Sequence, residues 1–292
     1  TSIPSGSVVT TLNSTEWSCA NYTWRRIQYK TYVGYAATAF LGSCPPGDFD
    51  FLTGRYNPSD YNTTFVSFQN GSLGVPSQTP DRVHYMRIEA FDALTALYTE
   101  FRAEYPNIPF WVQSSLRTFG DQKSIWEGKW NGDYSSITNL TERGLAVLTF
   151  SAIPGASRHH WGTDIDINEL YNSYYESGYG LIIKNWMDAN AARFGFCQPY
   201  TAGRVGGHSE ERWHWSYLPI AVNLRNAWLS NQTAILNSLN QTFVGSEYVL
   251  NLAPSYIYDI NPNCFAYSPA PSRTPTPSVT PTASVTPSAP AT

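Results

Sequence analysis

The chain has 292 residues, room for one large domain or a domain with attachments, and 42% of them are hydrophobic, enough for a sizeable core. Charged residues make up only 14%, aromatic residues reach 15%, and the net charge is −4 with no basic block, which excludes a nucleic-acid footprint. No apolar run approaches the length of about 18 residues that a membrane-spanning helix needs.

In chain order, residues 1–80 are rich in Tyr, Asn, Ser, Gly and Pro and read as a wrap around the main domain, since they carry no apolar core of their own. The chain opens at Thr1 with no Met and no basic-then-apolar leader, as expected of a mature chain released from a signal peptide. Alternating runs at Tyr29–Val33 and Thr64–Phe68 predict strands, and Cys44-Pro45-Pro46-Gly47-Asp48 predicts a turn. The ordered pattern begins at about residue 81. Phe91, Leu94, Leu97, Tyr98 and Phe101 mark one face of a helix over 82–104, stopped by Pro106. Ile108, Phe110 and Val112 then alternate as a strand ending at Ser114-Ser115. A short helix opens near Asp121, and Asn139-Leu140-Thr141-Glu142 forms a capping box that leads a helix to Phe150. After the turn at Pro154-Gly155 come a strand at 163–167 and a helix at 181–194 closed by Gly195. Strand pieces follow around Phe196 and over 213–217, and helices at 219–229 and 232–243 finish the fold. Strands and helices do not alternate regularly and no repeat shows. The class is α+β, a small antiparallel sheet with flanking helices, filling a domain over 81–267.

Residues 268–292 change composition abruptly: 7 Pro, 6 Thr and 5 Ser with no aromatic. Such a segment buries too little apolar surface to offset its ordering entropy and reads as an O-glycosylated stalk or linker, through which self-association is expected. The four cysteines, at 19, 44, 197 and 264, fit no metal or redox spacing; their even number suggests two disulfides, with Cys19–Cys44 and Cys197–Cys264 expected among the three possible pairings. N-glycosylation sequons stand at Asn13, Asn21, Asn62, Asn70, Asn139, Asn231 and Asn240. With the tail, they point to a secreted or surface protein carrying N- and O-linked glycans.

Four of the five histidines lie in two short stretches, Ser157-Arg158-His159-His160-Trp161-Gly162-Thr163-Asp164-Ile165-Asp166 and His208-Ser209-Glu210-Glu211-Arg212-Trp213-His214-Trp215. Two imidazoles and one carboxylate leave the fourth tetrahedral position of zinc open, the mark of a catalytic site, and a further Glu can move the proton of a water. Period-two alternation puts Asp164 and Asp166 on one strand face, turned to a cleft, with Ile165 and Ile167 on the other. The residues alone leave a second reading open, in which His159 and His160 are loop residues bonded to nearby carboxylates and Trp213-His214-Trp215 is a core strand.

These stretches resemble the zinc D-alanyl-D-alanine carboxypeptidases of the VanY type, in the group that includes lysostaphin-like and hedgehog-like domains. Their pattern S-x-H-x-x-G-x-A-x-D, followed by E-x-W-H, is matched by Ser157, His159, Gly162 and Asp166, then Glu211, Trp213 and His214. It is broken at Asp164, where the family has a small Ala. A third family segment, S-G-Y-R-S followed by Q, is similar to Ser114-Ser115-Leu116-Arg117-Thr118 and Gln122. The resemblance spans about 82–218. It implies a hedgehog/DD-peptidase-like fold with zinc held by His159, Asp166 and His214, and Glu211 as general base and then acid. It also implies that Arg117 orients a carbonyl or terminal carboxylate, that Gln122 bonds the substrate or Arg117, and that Ser157 supports a ligating imidazole beside the substrate. Family spacing selects His159 over His160 and Glu211 over Glu210, and leaves His208 without a role. The implied substrates are peptidoglycan stem peptides, with release of a terminal D-Ala the commonest case. The alternative is a secreted glycoprotein that reuses the fold as a surface or filament subunit. Two His and a carboxylate also suit non-haem iron; Glu211 and Arg117 favour zinc hydrolysis.

Overall fold

The computed structural model describes residues 48–69, 71, 74–77 and 82–267, together with the backbone of three strands between residues 10 and 37. The expected Cys19–Cys44 pairing, the turn after Cys44 and the tail at 268–292 lie outside the described residues. Strands β1 (Thr10–Cys19), β2 (Tyr22–Tyr29) and β3 (Tyr32–Ala37) form an antiparallel meander. Of the strand expected over 29–33, Tyr29 ends β2 and Tyr32 and Val33 begin β3, with Tyr29 paired to Tyr32.

Helix α1 (Asp48–Thr53) precedes strand β4 (Phe65–Phe68), which pairs antiparallel with β5 (His84–Arg87) before helix α2 (Ile88–Glu104). The first turn of the helix expected from 82 is therefore a strand, because Phe68↔His84 to Phe65↔Arg87 is a pairing between distant segments that local periodicity does not reveal. Strand β6 (Val112–Ser114) follows, shorter than the alternation at 108–112 predicts. Helix α3 (Phe119–Asn131) opens on a reciprocal cap: Thr118 Oγ1 accepts from Asp121 N–H at 3.2 Å, and Asp121 Oδ2 accepts from Thr118 N–H at 2.8 Å. Helix α4 (Leu140–Leu148) is capped by the Asn139 side chain, the Asn half of the expected capping box, and ends short of Phe150.

Strand β7 (Asp164–Ile167), helix α5 (Gly178–Asn190), strand β8 (Phe196–Cys197) and strand β9 (His214–Tyr217) complete a four-stranded antiparallel sheet in the order β6-β7-β9-β8. Gly195, at φ 82°, ends the helical run before β8. Helices α6 (Leu218–Ser230), α7 (Gln232–Leu239), α8 (Ser246–Val249) and α9 (Ala253–Tyr258) close the fold. The helix expected to reach residue 243 stops at Leu239, beyond which Gln241 takes φ 55°.

Ile165, Ile167 and Trp215 on one face of the sheet pack with Leu94, Leu97 and Phe101 of α2 and Ile183 and Met187 of α5. Full burial of each such side chain stabilises the fold by about 1.5–3 kcal/mol. A second core joins Trp126 and Trp130 of α3, Val147 and Leu148 of α4, Trp161, and Trp228 of α6. The opposite face of β7 and β9 is left to polar side chains. The disulfide Cys197–Cys264 links edge strand β8 to the end of the helical segment, as expected from the sequence. Among the described residues no helix is long and apolar enough to cross a membrane.

Candidate metal centre

Strand register assembles the site. Asp166 of β7 lies opposite Ser114 of β6 and His214 of β9, and Asp164 lies opposite Ser216, so all five side chains belong to one face. Just before β7, a 3₁₀ turn at Arg158–Trp161 brings in His159. It is released into the strand by Gly162 at φ 69°, where a Cβ atom would meet Phe65 Cε1 at 2.8 Å.

One ligand atom each from His159, Asp166 and His214 falls within 4.8 Å of the others, and all three residues are buried. His159 Nδ1–H donates to the Ser115 carbonyl at 2.7 Å, which leaves Nε2 as the lone-pair nitrogen, 3.3 Å from Asp166 Oδ2. Burial, with Arg117 adding repulsion, pushes the His159 pKa down to about 4, so the ring is neutral at pH 7. His214 is oriented the other way round. Its Nε2 meets Asp164 Oδ2 at 2.9 Å, and its Nδ1 faces Asp166 Oδ1 at 3.0 Å and Glu211 Oε2 at 3.4 Å. Burial opposes a charge on this ring, but hydrogen bonds to three carboxylates raise its pKa well above the ordinary value.

The donor set fits a divalent ion. Among the buried side-chain atoms without a hydrogen-bond partner are His159 Nε2, which faces Asp166 Oδ2, and Asp166 Oδ1, which faces His214 Nδ1. Asp166 and Glu211 both face Nδ1 of His214 in this buried pocket, negative charge that a dication would neutralise. Two nitrogens and one carboxylate with a position left open make a zinc site of catalytic type.

The centre lies in a cleft of about 320 Å³ whose lining includes Arg117, Lys129, Ser157, Tyr200, His208 and Glu211. Burial raises the Glu211 pKa, against the pull of His214. Arg117 follows β6 and is fixed by its own peptide: its N–H donates to His159 O at 3.2 Å, and its carbonyl accepts from His160 Nδ1–H at 2.7 Å. Its Nη2 lies 3.9 Å from Asp166 Oδ2, and its Nε is buried without a partner. Ser157 Oγ is likewise buried and unpartnered.

The family model described as VanY, D-alanyl-D-alanine carboxypeptidase, matches residues 83–220. A D-alanyl-D-alanine carboxypeptidase of Enterococcus faecalis (strain ATCC 700802 / V583) is 35% identical over 176 residues, 58% of each chain. An uncharacterized protein of Haemophilus influenzae (strain ATCC 51907 / DSM 11121 / KW20 / Rd) is 34% identical over 132 residues, covering 97% of that protein and 35% of this chain. The chain belongs to the VanY D-alanyl-D-alanine carboxypeptidase family. It spans 58% of the length of the Enterococcus relative. Among solved structures, VanYB in complex with D-Alanine-D-Alanine is 23% identical, with a TM-score of 0.41 over 62% of this chain and 96% of that one.

Within the VanY pattern the structure brings together His159, Asp166, His214, Glu211, Arg117 and Ser157. Gln122 is apart from them. It is fully buried in α3, outside the cleft lining, and its Nε2 donates to Ala152 O at 2.8 Å, tying the helix to the segment that leads to Ser157. Asp164 shares the strand face of Asp166 but does not line the cleft; it is enclosed behind His214. His160 is turned away, Nδ1 to Arg117 O and Nε2 accepting from Gly155 N–H at 3.0 Å. His208 lines the cleft as a buried side chain, with Nδ1–H on Leu148 O at 3.0 Å. Sequence reasoning missed Tyr200, whose ring centroid lies 4.7 Å from that of His214, and Lys129, whose Nζ donates to Ser151 Oγ at 2.7 Å on the cleft wall. Neither sits in a motif; only the fold brings them to the site.

Proposed function

We propose that the protein is a zinc-dependent peptidase acting on peptidoglycan stem peptides of the D-alanyl-D-alanine type, with release of the C-terminal residue as its reaction. One observation carries this reading: His159 Nε2, Asp166 and His214 Nδ1 converge in a cleft that also holds Glu211 and Arg117. Family membership and the description of the Enterococcus relative support the substrate class. His159, Asp166 and His214 are the residues that would hold zinc, which when bound supplies a Lewis acid and a water activated at neutral pH. Glu211 accepts the proton of the attacking water at Oε2 and returns it to the leaving amine. Arg117 donates to an anionic oxygen of the substrate, the terminal carboxylate or the developing oxyanion. Ser157 Oγ, unpartnered in the same cleft, offers the substrate a further hydrogen bond.

We place the protein outside the cell, in keeping with the Cys197–Cys264 disulfide. Exposed Asn62, Asn139 and Asn240 are suited to N-linked glycans, whereas Asn231 is half-buried with its Nδ2 donating to Ala227 O at 2.8 Å. Residues 81–267 form the hydrolase unit, and the composition of 268–292 suits an O-glycosylated linker through which chains associate.

The test combines metal analysis with release of D-Ala from a synthetic stem pentapeptide. About one zinc per chain, lost in His214→Ala, together with D-Ala release lost in Glu211→Gln, is the expected result. No metal bound even when zinc is offered, or release unaffected by Glu211→Gln, overturns the reading.

A further inference from the structure

Asp164 stands where the family pattern has a small Ala, and its surroundings account for the exchange. The side chain is fully buried, and its carboxylate receives four donors. Oδ1 accepts from Thr163 Oγ1 at 2.7 Å and Ser216 Oγ at 2.8 Å; Oδ2 accepts from Arg158 Nε at 2.9 Å and from His214 Nε2–H at 2.9 Å. Four donors fill the capacity of a carboxylate. Such a group is costly to bury unless it is both paired and hydrogen-bonded, and Arg158 meets the first requirement. Arg158 is anchored in turn by its Nη2, which donates to Ser216 Oγ at 2.5 Å. Strand pairing demands none of this, since the backbone register Asp164↔Ser216 is indifferent to the side chain.

What the arrangement does is visible on the far side of His214. With Nε2–H committed to Asp164, Nδ1, the nitrogen that faces Asp166 and Glu211, is the one left to give its lone pair to a metal. We propose that Asp164 is a positioning residue that fixes the ring orientation and tautomer of His214 for metal binding, with Arg158, Thr163 and Ser216 holding Asp164 in place. The two imidazoles of the centre are thus supported differently. His159 leans on a neutral backbone carbonyl, whereas His214 leans on a carboxylate, which makes it the stronger donor. The inference rests on the reading of the cleft as a metal centre.

The experiment measures zinc affinity by chelator competition, and the visible spectrum of the cobalt(II)-substituted protein, for the wild type, Asp164→Asn, Asp164→Ala and the double variant Asp164→Ala/Arg158→Met. Asp164→Ala is expected to weaken zinc binding about 10- to 100-fold and to shift the cobalt bands. Asp164→Asn keeps an acceptor oxygen and is expected to fall between. The double variant removes the buried guanidinium left without its partner, so it recovers melting temperature but not zinc affinity. A folded Asp164→Ala or double variant with zinc affinity within about threefold of wild type and unchanged cobalt bands overturns the inference. If the wild type cleaves stem peptide while these variants bind zinc normally, the inference fails and the peptidase reading stands. If zinc affinity falls as expected but no peptide is cleaved, the reverse holds. A wild type that binds no zinc overturns both.

Discussion

Glu211 Oε2 lies 3.4 Å from His214 Nδ1, and the His214 N–H donates to the Glu211 carbonyl at 3.3 Å, so one tight turn carries both residues. The turn is pinned by Glu211 N–H to Tyr200 O at 2.9 Å and by Gln198 Nε2 to Glu211 O at 3.0 Å. The carboxylate is therefore held beside the centre by backbone contacts that a change in its own charge leaves alone. Glu211→Gln is expected to keep the fold and about one zinc per chain while lowering kcat by about 10²–10⁴-fold. Metal analysis and D-Ala release on the same preparation check this, and loss of metal in the variant would show that Glu211 is needed for binding.

Arg117 contributes a planar fork whose Nε has no partner in the protein. Arg117→Lys keeps the charge but not the fork, and a drop in kcat/KM of about 10²–10³-fold is expected, close to that of Arg117→Ala. Comparing a peptide with its C-terminal amide separates the two possible contacts. If Arg117 grips the terminal carboxylate, the variants lose their preference for the free acid. If it serves the oxyanion, both substrates slow alike.

The residues that face the centre were legible through the family resemblance, whose pattern sets His159 seven residues before Asp166 and Glu211 three before His214. Those offsets reflect a 3₁₀ turn feeding a strand and a tight turn feeding its neighbour, both local geometries. What was not legible depends on distant pairing. Strand β5 was read as the start of a helix because only β4, some twenty residues earlier, makes it a strand. Alternation put Asp164 correctly on the face of Asp166, but the direction of its carboxylate is decided by Arg158 and Ser216, which no spacing rule joins to it. Gln122 matched the family segment in position, yet a helix begun by the Thr118 cap carries it to Ala152 rather than into the cleft.

Three buried imidazoles that do not face the metal position, His84, His160 and His208, set a pH dependence of stability. Burial lowers the pKa of His84 to about 4 and those of His160 and His208 to about 3, from an ordinary 6.5. The unfolded chain therefore binds more protons than the folded one between these values. The stability they contribute is complete above pH 6.5 and is lost as pH falls towards 4 and then 3, at about 1.4 kcal/mol per unit of depression. Urea midpoints of metal-free protein are expected to drop between pH 7 and pH 4.5, with a shallower slope in His208→Gln. An identical slope in that variant would remove His208 from the account.

Gly162→Ala tests the junction between the metal-facing turn and β7. The backbone there is left-handed, and the added methyl would press on Phe65 Cε1 at 2.8 Å and Leu116 Cδ1 at 3.1 Å. A loss of about 1–3 kcal/mol is expected, together with weaker zinc binding, since His159 and Asp166 sit on either side of the distortion. Thermal melts with and without zinc check this. A variant as stable as wild type in both would mean that the turn has another conformation open to it.

The Cys197–Cys264 bridge has a mechanical side. Cys264 lies near the end of the described chain, while Cys197 sits on edge strand β8, which pairs with β9, the strand that carries His214. A pull on the chain beyond Cys264 passes across the sulfur bridge straight to that edge, and helices α6 to α9 stay slack within a closed covalent loop. That edge is paired to β9 through Phe196↔Tyr217 and Cys197↔Ser216, and Ser216 is bonded to the carboxylate behind His214. Tension at the C-terminal end and the aim of a metal-facing imidazole are therefore joined by one short path.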